Sequence, residues 1–326
     1  MNPGSFEELY DTDTRRAITE MTHNDGRVRS AAEFTGRLAD FSDTELLFMA
    51  WGAPRLDAAI LDALPNLRAV FYAAGSVKGI VSEAFWDRGI YLTSGYAANA
   101  VPVADYTLAS ILFALKNSFR FAEGVRRGEV VNRNSLPAEG IYHGCSVGII
   151  SLGAIGQRVC RMLADFDVDV VAYDPIVDDA LFEALGVRRV ASLEALFADC
   201  GIVSLHAPLL PETRGMITAA HLRALPRGAT FINTARGAIV DEAGLVDVLR
   251  ERPDLYAVLD VIQEESDYSA GPLAQMRNVF LTPHISGSIG REFLRLGARS
   301  AEECRRYLAG EPALTQIDRE RAARLA

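Results

Sequence analysis

Cysteine is scarce in this chain and unpaired. Four of its 326 residues are Cys, and Cys145, Cys160, Cys200 and Cys304 show neither a C-x-x-C nor any other paired spacing. That leaves no disulfide framework and no thiolate metal centre to expect, only buried thiols in a reducing compartment. Positive charge is also short: 33 Lys and Arg face 43 Asp and Glu, a formal net charge of −10. Nucleic acid and an anionic membrane are poor partners for such a surface. No apolar run approaches the roughly 20 residues of a membrane span. Met1 to Leu9 has no basic stretch followed by an apolar one, so no secretory leader is expected and the default location is the cytoplasm. Strand pattern is missing from the first forty or so residues, where Asp13 to Met21 is the one helical candidate.

What is present suits a folded protein with a large core. Hydrophobic residues make up 49% and charged residues 23%, in a chain long enough for two domains. From Thr44 strands and helices alternate. Glu45–Trp51, Leu67–Tyr72 and Ile90–Thr93 read as strands, with helices around Leu56–Leu64 and from Ser82. That rhythm predicts a parallel sheet covered on its faces. After Asn99-Ala100-Val101-Pro102 a long helix is expected over Val103–Arg127, apolar enough on one side to pack between domains or subunits. Val130–His143 reads as a polar loop.

The stretch Cys145–Pro175 carries the most information. An apolar strand (Cys145–Ile150) meets the turn Ser151-Leu152-Gly153-Ala154-Ile155-Gly156, a helix follows, and a second strand (Val168–Tyr173) ends at Asp174. Strand, glycine turn, helix, strand and acid in this order make a dinucleotide-binding βαβ unit. Gly153 lets backbone approach a pyrophosphate, Gly156 lets the helix lie close to the strand, and the first helical amides face the phosphates. Asp174 is placed to accept from the adenosine ribose diol and to repel a 2′-phosphate, which favours NAD over NADP. Ser151 stands where the G-x-G-x-x-G pattern has its first glycine.

Beyond Asp174, strands are expected at Val187–Val190, Ile202–Leu205, Ala229–Asn233, Tyr256–Val261 and Val279–Leu281, and a last helix at Arg291–Leu308. Ligands in open α/β sheets bind beyond the carboxyl ends of strands, and three such ends carry ionisable groups. Thr234-Ala235-Arg236-Gly237 offers a guanidinium that can hold a substrate carboxylate and polarise a carbonyl. Asp260 to Glu265 offers carboxylates, and Thr282-Pro283-His284-Ile285-Ser286-Gly287 an imidazole able to donate a proton as hydride arrives. Glu265 beside His284 would stabilise imidazolium, raise the histidine pKa and fix its tautomer. His206, His143, His23 and His221 have no carboxylate at the right place, and the last three read as surface groups.

These segments resemble the D-isomer-specific 2-hydroxyacid dehydrogenase family over about Thr44 to Leu308. The match includes Val147–Gly156, Val203–Leu209, Glu212–Ile217, Phe231–Gly237, Leu259–Val261 with Glu265, and Thr282-Pro283-His284. The resemblance implies an α/β protein of two doubly wound parallel-sheet domains. A Rossmann NAD-binding domain (102–291) would be inserted in a flavodoxin-like substrate domain (1–101 and 292–326). It implies an NAD-dependent oxidoreductase for a 2-oxo or D-2-hydroxy acid, of glyoxylate or hydroxypyruvate reductase type. Arg236, Glu265 and His284 would be catalytic. NAD would be lined by Gly153, Ala154, Ile155, Gly156, Asp174, His206, Ala207, Pro208, Thr213, Thr234, Ala235, Arg236, Asp260, His284 and Gly287, with Asp260 on the nicotinamide carboxamide. Backbone at Gly75, Ser76 and Val77 would grip the substrate carboxylate together with Arg236 and His284, with Asn99 at the hinge. A homodimer through 103–127 is implied. An NADH-sensing corepressor or scaffold, and a formate- or phosphite-type dehydrogenase, are the rival readings. The family's first strand within residues 1–10 is not evident here, and Ser266 replaces the family's proline after the glutamate.

Overall fold

The computed structural model describes residues 3–130, 132 and 142–325. Most of the polar connection expected over Val130–His143 lies outside the described residues. Two compact units are present: Met1–Ala100 with Ser288–Ala326, and Val101–Gly287.

The first unit opens on helices α1 (Pro3–Leu9), α2 (Thr12–Met21) and α3 (Ala31–Thr35). Asp11 starts α2 by accepting from the Thr14 amide at 2.8 Å, and Ser30 with Glu33 forms a capping box on α3, so orphan first-turn amides are satisfied. Strands β1 (Leu46–Met49), β2 (Ala69–Tyr72) and β3 (Tyr91–Ser94) pair in parallel in that order, joined by α4 (Ala58–Ala63) and α5 (Glu83–Asp87). This small sheet is parallel and helix-connected as expected. Its described strands run in the order β1-β2-β3.

Helix α6 (Tyr96–Leu115) carries the chain into the second unit, followed by α7 (Ser118–Arg126). The single helix expected over Val103–Arg127 is thus two. Asn117 breaks it with φ 53°, a left-handed conformation that asparagine tolerates better than most residues. The helix also starts earlier than expected, so Asn99 lies in its first turn. By length and composition α6 passes as a membrane span, which corrects the view that no such stretch exists. Polar Asn99, Asp105 and Ser110 break up the run, yet its mean hydropathy stays high enough to pass. Its Ala104, Ile111, Ala114 and Leu115 are buried with Val147, Ile149 and Val258, and this packing accounts for its apolar face.

The second unit then alternates β4 (Ser146–Ile150), α8 (Ala154–Leu163), β5 (Asp169–Tyr173), α9 (Asp179–Leu185), β6 (Arg188–Arg189), α10 (Leu193–Asp199), β7 (Ile202–Leu205), α11 (Ala219–Ala224), β8 (Thr230–Asn233), α12 (Glu242–Glu251), β9 (Tyr256–Leu259) and β10 (Val279–Leu281). All seven strands are parallel, in the order β10-β9-β8-β7-β4-β5-β6. Strands β7, β8 and β9 are buried along their whole length, as a sheet covered on both faces requires. The order reverses between β4 and β7, which creates the crevice where such sheets bind ligands.

Helices α13 (Phe293–Leu308) and α14 (Arg319–Arg324) return to the first unit. There α13 packs on α1 and α2. Leu9 and Tyr10 are fully buried, and the Tyr10 hydroxyl lies 2.9 Å from Ser300 Oγ. A Cβ on Gly297 would fall 1.7 Å from the Leu9 carbonyl oxygen, so glycine is what permits this contact. The segment that lacks strand character is therefore anchored as helix.

Candidate active site

Two loops meet at the switch point of the large sheet. The first leaves β4 through Ser151, whose φ of 75° is a conformation that favours glycine. Gly153 then starts α8 without any side-chain cap, and a Cβ there would meet nothing within 4 Å. A helix start with uncapped amides and open space in front suits a pyrophosphate. Gly156 is required for a different reason: a Cβ there would fall 2.0 Å from the Ser151 carbonyl oxygen. The second loop leaves β7 at His206, whose amide donates to the Ile150 carbonyl at 2.9 Å. His206 is buried and its Nε2 lies 3.0 Å from Ser204 Oγ, while its Nδ1 has no hydrogen-bond partner. Burial pushes its pKa down to about 3, so the ring is neutral. Thr213 braces this loop, its hydroxyl donating to the Pro208 carbonyl at 2.6 Å.

Asp174, expected to face the ribose, is only 6% exposed. Its Oδ2 accepts from the Leu152 amide at 2.8 Å and from the Ser151 hydroxyl at 3.3 Å. Its Oδ1 accepts from the amides of Ile176 and Val177 at 2.8 and 3.3 Å. The carboxylate thus clamps the glycine turn to the end of β5.

Three more loops leave β8, β9 and β10 side by side. Asn233, Leu259 and Leu281 are register partners across these strands, so Arg236, Glu265 and His284 start from one level of the sheet. Asn233 shapes the first loop by accepting from the Ala235 amide at 2.9 Å and donating to the Arg236 carbonyl at 3.1 Å. Thr234 Oγ1 lies 3.1 Å from Thr107 Oγ1 on α6. Arg236 is partly buried, and desolvation lowers its pKa while the nearby Glu265 carboxylate opposes that shift. At Gly237 a Cβ would fall 2.0 Å from the Ile262 carbonyl carbon, which brings the second loop against the first.

Asp260 organises the His284 loop. Its carboxylate is fully buried. Oδ1 accepts from the Thr282 hydroxyl at 2.7 Å and the Ile285 amide at 2.8 Å, and Oδ2 from the Ser286 amide at 2.8 Å. The Asp260 carbonyl accepts from the His284 amide at 2.9 Å. Tyr106 on α6 completes the chain, its hydroxyl 2.8 Å from Thr282 Oγ1. His284 itself is held at φ 54°, and its Nδ1 lies 2.8 Å from Glu265 Oε2. The residue in the place of the family's proline, Ser266, uses the amide that proline lacks to donate to Glu264 at 3.0 Å.

Glu265 is therefore the common neighbour of Arg236 and His284. Sequence reasoning missed Asn233, Tyr106, Thr107 and Thr282, which position these groups. The run of strand, then Asn-Thr-Ala-Arg, was the one available hint for Asn233. One histidine expectation needs correction. His143 is a surface group as expected, 2.5 Å from Asp167, whereas His221 is largely buried, capping α11 and 3.4 Å from Glu194. In the first unit the loop after β2 is fixed by Ser94 Oγ, 2.9 Å from the Ala74 carbonyl and 2.5 Å from that of Gly75. Asn99 Oδ1 accepts from the Ser288 amide at 2.9 Å.

A switch-point turn with an open helix start, beside strand ends bearing Arg, Glu and His, defines the class of Rossmann-type dinucleotide-binding folds. Comparison narrows this. The sequence profile of the NAD-binding domain of D-isomer specific 2-hydroxyacid dehydrogenases matches residues 108–286, and the chain belongs to that family. The glyoxylate reductase of Korarchaeum cryptofilum is 33% identical over 78% of this chain and 77% of its own length. The D-3-phosphoglycerate dehydrogenase of Mycobacterium tuberculosis is 34% identical over 79% of this chain, but only 48% of its own length is covered. For that of Methanocaldococcus jannaschii the values are 28%, 90% and 57%. The chain thus spans about half the length of these phosphoglycerate dehydrogenases. The apo structure of Rhodotorula graminis D-mandelate dehydrogenase shares the fold, with a TM-score of 0.82, 24% identity and coverage of 95% and 94%.

Proposed function

We propose that this protein interconverts a 2-oxo acid and a D-2-hydroxy acid using NAD(H), with glyoxylate or hydroxypyruvate the substrates of first choice. The observation that carries the reading is the Glu265–His284 pair at 2.8 Å with Arg236 beside it. Glu265 accepts a hydrogen bond from the Nδ1–H of His284 and so orients the ring, and the protonated ring delivers its Nε2 proton to a carbonyl oxygen and recovers it in the reverse direction. Arg236 binds the substrate carboxylate and polarises the carbonyl, its partly desolvated charge acting more strongly than it would in water. NAD, when bound, supplies or accepts the hydride. Gly153, Ala154, Ile155 and Gly156 hold its pyrophosphate. His206, Ala207, Pro208, Thr213, Thr234, Ala235, Asp260 and Gly287 line its remaining length. In the other unit the amides of Gly75, Ser76 and Val77 grip the substrate carboxylate. The glyoxylate reductase relative, covered over most of its length, supports a small substrate.

We also infer a homodimer through 103–127. Phe113 on α6 is 55% exposed and Val125 on α7 is 67% exposed, and Phe113 packs on Phe119, which packs on Phe280. Such an exposed apolar face marks an interface.

The test is NADH oxidation against glyoxylate, hydroxypyruvate, pyruvate and bulkier 2-oxo acids, with formate plus NAD as a separate arm. Turnover of a 2-oxo acid to the D-product is expected. NADH binding without turnover of any of them would favour the scaffold reading.

A further inference from the structure

Ser151 has a hydroxyl where the dinucleotide motif has a glycine. Serine at φ 75° is strained, yet the turn cannot relax, because the Ser151 carbonyl is already against Gly156. Its hydroxyl donates to Asp174 Oδ2 at 3.3 Å. A carboxylate offers about four acceptor positions, and in Asp174 four donors face them: Leu152, Ser151, Ile176 and Val177. The carboxylate is also sealed, at 6% exposure, while Ser151 above it is only half-buried. Anything approaching the end of β4 from outside meets the serine first.

We propose that Ser151 is the residue that reads the adenosine ribose, with Asp174 acting through it as a positioning group. The hydroxyl has one proton, and it is donated in the hydrogen bond to Asp174. The lone pairs of Oγ are therefore turned outward as acceptors, polarised by the buried negative charge. An outward acceptor suits the hydroxyls of a ribose diol, which can donate. It repels a 2′-phosphate, which at neutral pH has only acceptors to offer. The inference rests on NAD binding at this turn, as read above, and adds the group that performs the discrimination.

The experiment measures dissociation constants of NADH and NADPH by fluorescence titration, with thermal melts of the cofactor-free protein, for wild type, Ser151→Ala and Ser151→Gly. Loss of one hydrogen bond should weaken NADH binding about three- to tenfold in both variants. NADPH binding should hold or improve, so the preference for NADH shrinks. Ser151→Gly should also melt higher than wild type, because glycine adopts φ 75° without strain, and it serves as the test should Ser151→Ala fold poorly. NADH affinity within twofold of wild type in the variants would overturn the proposal. So would equal losses for NADH and NADPH, which indicate a structural role alone. A wild-type protein that binds neither cofactor would remove the NAD reading itself, and this proposal with it.

Discussion

Replacing Asp260 with Asn tests how the His284 loop is held. The substitution keeps the shape and exchanges one acceptor oxygen for an NH2 donor. If the amide nitrogen takes the Oδ2 position it faces the Ser286 N–H, now 2.8 Å from an acceptor. If it takes the Oδ1 position, the Thr282 hydroxyl can turn to accept, but the Ile285 N–H at 2.8 Å cannot. Either orientation leaves one amide opposed by a donor inside the protein, and Asp260 has no exposure through which water could help. Losing a charge-assisted hydrogen bond and stranding its donor costs about 2–4 kcal/mol. For a folded unit of this size that lowers the melting temperature by about 5–15 °C. Calorimetry of the purified variant measures it, and turnover should fall with it as His284 loses its fixed place. A cost below about 1 kcal/mol would refute the reasoning that this carboxylate anchors the loop.

Gly297→Ala should destabilise the first unit by about 3 kcal/mol or more, since its Cβ would fall 1.7 Å from the Leu9 carbonyl oxygen; urea unfolding measures this. His206 ties stability to pH. Its folded pKa lies near 3, below the unfolded value of about 6.5, so only the unfolded chain gains the proton between these values. The contribution of the neutral ring is complete above about pH 6.5 and is lost as pH falls, by up to about 1.4 kcal/mol per unit. Denaturant titrations at pH 7 and pH 5 should show this slope, and His206→Asn should flatten it. Glu265→Gln keeps a partner for Nδ1 but removes its charge, so turnover should drop at least tenfold while NADH affinity holds.

Much of the second unit is legible in the sequence because its strands are short apolar runs bounded by turn residues. Ile202–Leu205 and Val279–Leu281 have the ends expected of them, and Arg236, Glu265 and His284 belong to loops that leave register-paired strands. The N-terminal helices are less legible. Leu9 and Tyr10 are buried by α13, nearly the whole chain away, and nothing in a short polar segment announces that contact. The break at Asn117 hinges on one left-handed residue inside an otherwise helical pattern. Asp260 illustrates a further limit. A carboxylate beside a predicted cofactor site reads as a ligand, and nothing in the sequence shows that the Thr282 hydroxyl and the Ile285 and Ser286 amides hold it here. Asp174 likewise has its oxygens turned to Leu152, Ser151, Ile176 and Val177.

The central claim is that an imidazole oriented by Glu265 and working beside Arg236 moves the proton in a 2-oxo acid reduction. Its most direct test compares wild type with His284→Ala for NADH oxidation by the best 2-oxo acid found in the panel, alongside NADH affinity by fluorescence. Turnover should fall by about a hundredfold or more while the NADH dissociation constant stays within a few-fold of wild type. A variant that reduces the same 2-oxo acid at the wild-type rate would contradict it.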